Sequence, residues 1–365
     1  MEEVRPQARA QAFPVQQTLK RAPAIVAIAL GAIALLFQPP PAWIESAYSN
    51  GAYPVWERTA FAIVNPYRWS LGDVAALTGA GIIIWQIVAF ARRRKRSWAN
   101  LGDLVLVCAA IVGVYAVWFE LSWGWNYARA PLETRVRYSA TRITPDAAAV
   151  LRTRAMAEMN ALAKSAHARA ARPLDLAELR AAWLSAVRAA GDSWTPQVGA
   201  PKPTIADPFM MATGTSGFIN PLTLNVALAS DLLWFERPFD LAHEWSHDAA
   251  YAREDEANYL AIVTCIRARD PAIRYAGWFA LFLYLPQKRH YAHREFVPLV
   301  WQDFGAIRRR DARHINVLLA HWTWRTYNVY LKSNRIAAGI ANYDEVTRLM
   351  LGAPRDSQGL PIPKG

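Results

Sequence analysis

The sequence predicts a mainly α-helical membrane protein: a three-helix transmembrane region at the N-terminus, then an exported, mostly helical domain with a short β hairpin or edge strand. Three observations predict this class. Uncharged apolar runs crowd the first third of the 365 residues, basic residues cluster at particular ends of those runs, and apolar residues recur at helical spacing through most of the rest of the chain.

The apolar runs are Ala22 to Phe37 ("APAIVAIALGAIALLF"), Val74 to Ala91 ("VAALTGAGIIIWQIVAFA") and Leu104 to Phe119 ("LVLVCAAIVGVYAVWF"). Each approaches the roughly 20 residues that a spanning helix needs, and a soluble helix of that length seldom lacks a polar face. Spanning helices are expected at about 22–38, 71–91 and 101–121, within a transmembrane region of residues 22–123. The first run has the length of a signal-peptide core, but "PPPAW" stands where a small-residue cleavage site belongs, so a retained helix is expected. Arg5, Arg9, Lys20 and Arg21 precede the first run, and "RRRKR" (Arg92 to Arg96) joins the second to the third; both flanks are expected to be cytoplasmic, including an N-terminal arm of residues 1–21. Between the first two runs only Arg58 and Arg68 are basic, so that stretch should lie outside. An odd number of spans puts everything after Trp123 outside as well.

The formal net charge of +12 is partly a product of this topology, and no aromatic-basic module for nucleic acid is visible. The expected partner is the lipid bilayer, not nucleic acid. "RRRDAR" (Arg308 to Arg313) reads as a solvated face. Cys108, within the third run, and Cys265, on an expected helix, are not positioned to meet, so no disulfide is expected.

The exported domain is expected over residues 124–352, with a Pro- and Gly-rich tail at 353–365. "LSWGWNYARAPL" (Leu121 to Leu132) has the Trp and Tyr content of a collar in the headgroup layer. Thr144 and Pro145 make a helix start, followed by Leu151, Ala155, Met159 and Leu162 at helical spacing. A second helix is expected from about Asp175, with Leu176, Leu179, Trp183 and Val187 on one face and Gly191 at its end. Between Gly199 and Leu232, turn residues flank the β-prone "LTLNVALASDL", which predicts one hairpin or edge strand. Ile273 to Pro286 is very apolar but only fourteen residues long, which suits a core or in-plane helix better than a fourth span.

The chemistry is concentrated in "AHEWSHDAAYAREDEAN" (Ala242 to Asn258). On a helix, His243 and His247 lie on one face a turn apart, so both can direct an imidazole nitrogen at one ion. Glu244 is rotated by about 100°, too far to join that clamp but near enough to reach a water held by the ion, which is the position of a general base. If the helix ran on unbroken, Glu254 would fall about 10 Å beyond His247, too far to share an ion with ligand bonds of about 2 Å. A metal site therefore requires a turn near Ala249 to Ala252 and a new helix from about Glu254. Glu254 is then the expected third ligand. Glu256 and Asn258 either support the site from outside the ion or replace Glu254 as ligand.

Other titratable residues carry weaker signals. His290 and His293 ("HYAH") read as part of a solvated basic segment. His314, His321, Tyr327 and Tyr330 lie on a C-terminal helical stretch that can supply a transition-state donor, although core or surface roles suit them better. Glu120 reads as interfacial.

The central stretch resembles the gluzincin zinc peptidases, which pair HExxH with a glutamate in an ExxA(D/N) pattern, here "EDEAN" (Glu254 to Asn258). The preceding "GFINPLTLNVALASDL" is similar to the segment those enzymes use as an edge strand along which substrate lies. The whole chain also resembles a bacterial membrane family known only as a domain of unknown function. The matching motifs are "YSNGAYP", "WGWNYARAPL", "KPT", "GFINP", "AHEWSHDAAYAREDEAN" and "YNVYLKSN". That family usually has Gly where this chain has Ala250. The resemblance implies a zinc-peptidase-like site and supplies no substrate. Taken with the charge topology and the helix geometry, the expectation is a zincin-like domain outside a bacterial inner (plasma) membrane, with Zn2+ as cofactor, Glu244 as base and an unidentified peptide or protein as substrate. The alternatives are a non-catalytic zinc-binding sensor or assembly factor on the same fold, or a hydrolase of a non-peptide cell-envelope amide. The topology is open to direct test. A reporter fused after Gly365 is expected to be active only as an exported enzyme; activity of a cytoplasm-only reporter there would overturn the orientation or make Ile273 to Pro286 a fourth span.

Overall fold

Apolar sequence and helix length come together first at the N-terminus. The computed structural model describes residues 13–37, 39–92, 97–286, 291–334, 336–339, 341, 345–357, 359 and 362. Arg5, Arg9, residues 93–96 of the basic loop, His290 and part of the C-terminal tail lie outside the described residues. The chain opens with α1 (Phe13–Leu36), passes through a π-helical segment (Ile44–Ala52) into α2 (Tyr53–Val64), and continues with α3 (Leu71–Ala91) and α4 (Trp98–Ser122). α3 and α4 are each long and apolar enough to cross a membrane. The first run meets that test only when Arg21–Leu36 and Pro41–Val64 are counted together as one broken span.

The chain divides into two compact units, Met1–Gln38 with Val74–Ser122, and Pro39–Asp73 with Trp123–Gly365. In the first, α1 packs along α4. Small residues set the distance: a Cβ on Gly31 would lie 2.5 Å from Gly113 Cα, and one on Gly113 would meet Ala27 O. Such backbone approach is a usual device of helix pairs in lipid, where apolar burial alone gives no preference for protein over lipid. Arg21 and Asp103 pair at 2.7 Å.

The second unit is mainly helical with one two-stranded sheet. α5 (Pro145–Ala170) starts where Thr144 accepts a hydrogen bond from Ala147 N at 3.1 Å, and Leu151, Ala155, Met159 and Leu162 are buried along it, as their spacing predicts. α6 (Leu176–Ala189) is capped by Asp175, buries Leu179, Trp183 and Val187, and leaves Leu176 exposed. A short α7 (Asp207–Thr213) precedes β1 (Gly217–Asn220) and β2 (Asn225–Leu228), which pair antiparallel with Gly217 opposite Leu228. Lys202 N donates to Val226 O at 2.9 Å, so β2 is flanked on both sides and β1 forms the outer strand.

α8 (Arg237–Asp248), α9 (Glu254–Arg267) and α10 (Pro271–Tyr284) form the centre, followed by α11 (Pro298–His314), α12 (Val317–Ser333) and α13 (Val346–Gly352). α9 is buried from Glu254 through Cys265 and packs against α6, α8 and α10. Gly277 permits the α9–α10 crossing, since a Cβ there would lie 2.6 Å from Cys265 Cβ. The apolar stretch Ile273 to Pro286 falls largely in α10, which packs against α5, α8 and α9 and buries nine of its fourteen residues.

"WGWNYARAPL" departs from its expected place. Trp123, Asn126, Tyr127 and Arg129 are buried in the second unit instead of forming an exposed collar. The hydrogen-bonding groups of Trp123 and Arg129 have a different task, at the end of α8.

Candidate metal centre

α8 stops at a tight reversal. Ala250 has φ +68°, its N–H donates to His247 O at 3.0 Å, and Tyr251 N donates to Ser246 O at 3.1 Å, the paired bonds of a Schellman ending. This is the break that the ligand spacing demands, and α9 begins four residues later at Glu254. A left-handed backbone disfavours any side chain, so Ala250 is held there under strain that a glycine would not have.

Side chains from distant segments bind the carbonyls that the reversal exposes. Trp123 Nε1 donates to His247 O at 3.2 Å, Tyr53 OH to Asp248 O at 3.0 Å, and Arg129 Nη1 to Ala249 O at 3.2 Å and Ala250 O at 3.5 Å. Arg129 is itself buried, held by Glu45 at 3.0 Å and by Asp192, and lies over the Tyr251 ring at 4.8 Å. Burial opposes its charge, but Asp192, Tyr251 and Glu45 outweigh that and hold it firmly protonated. Sequence reasoning missed these residues because their Trp and Tyr content suggests a membrane interface. A lone arginine within an aromatic run, with acids elsewhere to pair it, was the available signal.

The reversal folds the two helices onto one point. His243 Nε2 and His247 Nε2 lie 3.0 Å apart, and Glu254 Oε2 is 3.2 Å from the first and 3.6 Å from the second. A tetrahedral ion with bonds of about 2 Å spaces its donors by about 3.3 Å, so this buried group could hold a metal ion. Glu254 Oε2 is buried and faces the two imidazole nitrogens, with no further hydrogen-bond donor on it among the described residues, as expected of an atom shaped to meet a cation. The donors are also oriented. His247 Nδ1 meets Tyr251 O at 2.7 Å, which turns Nε2 towards the other donors, and Tyr327 OH donates to Glu254 Oε1 at 2.7 Å, leaving Oε2 for the ion.

Electrostatics reflect this crowding. Burial pulls the His247 imidazole down, but the Glu254 carboxylate outweighs it and raises the group to about 9. Burial also opposes the charge of Glu254, yet the two histidines hold it far below the usual carboxylate range. His243 is lowered by burial, partly offset by Glu254. Glu244 is raised to about 8 by burial, with Glu254 and Asp240 adding to the shift and His247 opposing it.

Glu244 lies on α8 outside the ligand group, facing the outer strand: a Cβ on Gly217 would come within 2.6 Å of Glu244 Oε1, and Glu244 Oε2 is buried without a partner. Glu256 is placed elsewhere, accepting from Leu132 N at 2.7 Å and facing Arg135 at 3.8 Å and Arg253 at 3.6 Å. Asn258 faces the His243 ring and accepts from Tyr284 OH at 3.1 Å. Of the weaker candidates, Tyr327 touches Glu254, and Tyr330 stacks on Tyr327 with ring centroids 5.6 Å apart. His314 pairs with Asp231 at 2.6 Å, while His321 packs edge-on to Trp322. His293 lies in a 3-10 turn (His293–Glu295), and Glu120 belongs to α4 of the first unit.

The reversal and the proton trapped beside it can each be tested. Ala250→Gly should relieve the left-handed strain and stabilise the protein by up to about 1 kcal/mol, whereas Ala250→Val should destabilise it; a lower melting temperature for the glycine variant would contradict this. In the metal-free protein His247 keeps its proton up to about 9, and an ion must displace it. Metal affinity should therefore fall as pH is lowered and rise with pH until about 9, with about one proton released per ion near pH 7. Calorimetry in two buffers of different ionisation enthalpy measures that proton, and an affinity unchanged between about pH 6 and 8 would refute the competition.

Comparison with known proteins adds a family. The chain belongs to the family described as "Protein of unknown function (DUF3810)", whose sequence profile matches residues 48–351. No curated protein and no solved structure matches the chain.

Proposed function

We propose that this member of the family is a zinc metallopeptidase anchored in the bacterial inner membrane, with a zincin-like domain on the periplasmic or extracellular side that hydrolyses peptide bonds. The observation that carries the reading is the placement of Glu244. It shares a helix with both histidines, stays outside the ligand group and faces an outer strand whose first residue is a glycine. A purely structural metal site has no use for such a group.

Two imidazoles and a carboxylate are a donor set that zinc uses in catalytic sites, where a fourth position stays open. When bound, the ion supplies Lewis acidity, acidifying a water and polarising a carbonyl. The remaining work falls to the chain. Glu244, buried on the ligand helix beside the histidines, would take a proton from the attacking water in its carboxylate form and return it to the departing amine nitrogen. Tyr251 O holds the His247 ring in place, and Tyr327 holds Glu254. The edge of β1 away from β2, unpaired among the described residues, would offer backbone groups to an extended peptide, with Gly217 keeping the space beside Glu244 clear.

Glu244→Gln tests this directly. The change preserves shape and ligands, so zinc content and melting temperature should barely move, while turnover should fall by about a hundredfold to ten-thousandfold. His247→Ala should lose the ion, because two remaining protein ligands hold zinc weakly. Metal-replete Glu244→Gln protein that fully rescues a deletion strain would move the assignment to a non-catalytic sensor or assembly factor. Full zinc occupancy in His247→Ala would remove the metal site itself.

A further inference from the structure

A cavity of about 270 Å³ begins beside the metal helix and lies outside the ligand group. Apolar residues, among them Met210, Phe235, Phe279 and Leu283, line it together with Asp240, the Glu236–Arg310 pair, Asp231, which is paired with His314, and Asp311, which is paired with Arg310. Asp240 stands one turn before Glu244 on α8, so the two carboxylates share a helix face. Cavity and site also adjoin through β1, since Ser216 lines the cavity and its neighbour Gly217 abuts Glu244. Phe239 adds a third link: it lines the cavity with its ring 6.2 Å from that of His243.

Asp240 is buried and makes no ion pair among the described residues; Ser216 is its hydrogen-bond partner. Arg310, whose charge bears on it, is already engaged by Glu236 at 2.8 and 3.0 Å and by Asp311 at 2.7 Å. Burial raises Asp240 to about 7, and a cation meeting it in the cavity would hold it as the carboxylate. The volume suits a single long side chain, near the lower end of ligand pockets at roughly 300–1,000 Å³.

Resting on the peptidase reading above, we propose that this cavity is the specificity pocket for a residue flanking the scissile bond, and that it takes a basic one, lysine or arginine. The apolar walls cover the alkyl stem, and Asp240 receives the charge at its end.

The test uses the full chain, zinc-loaded and in detergent. Peptides identical except for lysine or norleucine are scanned position by position, read by equilibrium binding to Glu244→Gln protein and by cleavage with the unmodified protein. Lysine at one position should bind on the order of tenfold tighter or more, and Asp240→Asn should abolish that preference. Ala280→Phe narrows the cavity from its wall while leaving the carboxylate in place; it should weaken the lysine peptide too, and it answers the question if Asp240→Asn does not fold. Equal binding of both peptides at every position, or a lysine preference kept in both variants, overturns the pocket. Cleavage without lysine preference overturns the pocket and leaves the peptidase reading standing. Lysine-selective binding that depends on Asp240, with no cleavage of any peptide, supports the pocket and overturns the peptidase reading.

Discussion

The arrangement of the whole site depends on one constraint, that a helix carrying two histidines must end within a turn of the second. Without the left-handed residue at Ala250, Glu254 would continue along the axis and the three donor atoms could not converge. Such a reversal exposes carbonyls in a buried place, and each left without a donor costs about as much as a lost hydrogen bond. Trp123, Tyr53 and Arg129 supply those donors. Arg129 in turn needs Glu45 and Asp192 around it. The buried charge network therefore serves a backbone turn, and through the Tyr251 carbonyl the turn sets the direction of His247.

How much of this was legible in the sequence differs from part to part. The break between His247 and Glu254 could be read from spacing alone, because helix geometry leaves no other way to join the ligands. Thr144 and Asp175 were legible as helix starts because capping is a local interaction, and the hairpin because turn chemistry is local too. The clamp was not legible: Trp123 and Arg129 act on residues more than a hundred positions away, and no local pattern records such a partner. The same aromatic composition suits a membrane interface and a buried, hydrogen-bonding turn, and only the fold separates the two.

The acids of "EDEAN" show why residue type alone did not decide their roles. Glu254, Asp255 and Glu256 all occupy the first turn of α9, where the helix dipole favours negative charge. They diverge by direction. Glu254 turns to the histidines, Asp255 to Arg253 at 3.3 Å, and Glu256 to the Leu132 amide and Arg135. A rotation of about 100° per residue is enough to send three adjacent acids to three different partners.

The clamp also ties the site to the completeness of the chain. Its contacts join residue 53 to 248, 123 to 247, and 129 to 249, and the tyrosine that steadies Glu254 comes from position 327. Contacts of such long sequence separation form late, after the loops between them have closed. During synthesis the histidines emerge well before Tyr327 does. A nascent or partly unfolded chain thus holds the metal-binding residues but lacks the framework that aligns them, so competence at this centre reports that the domain has finished folding.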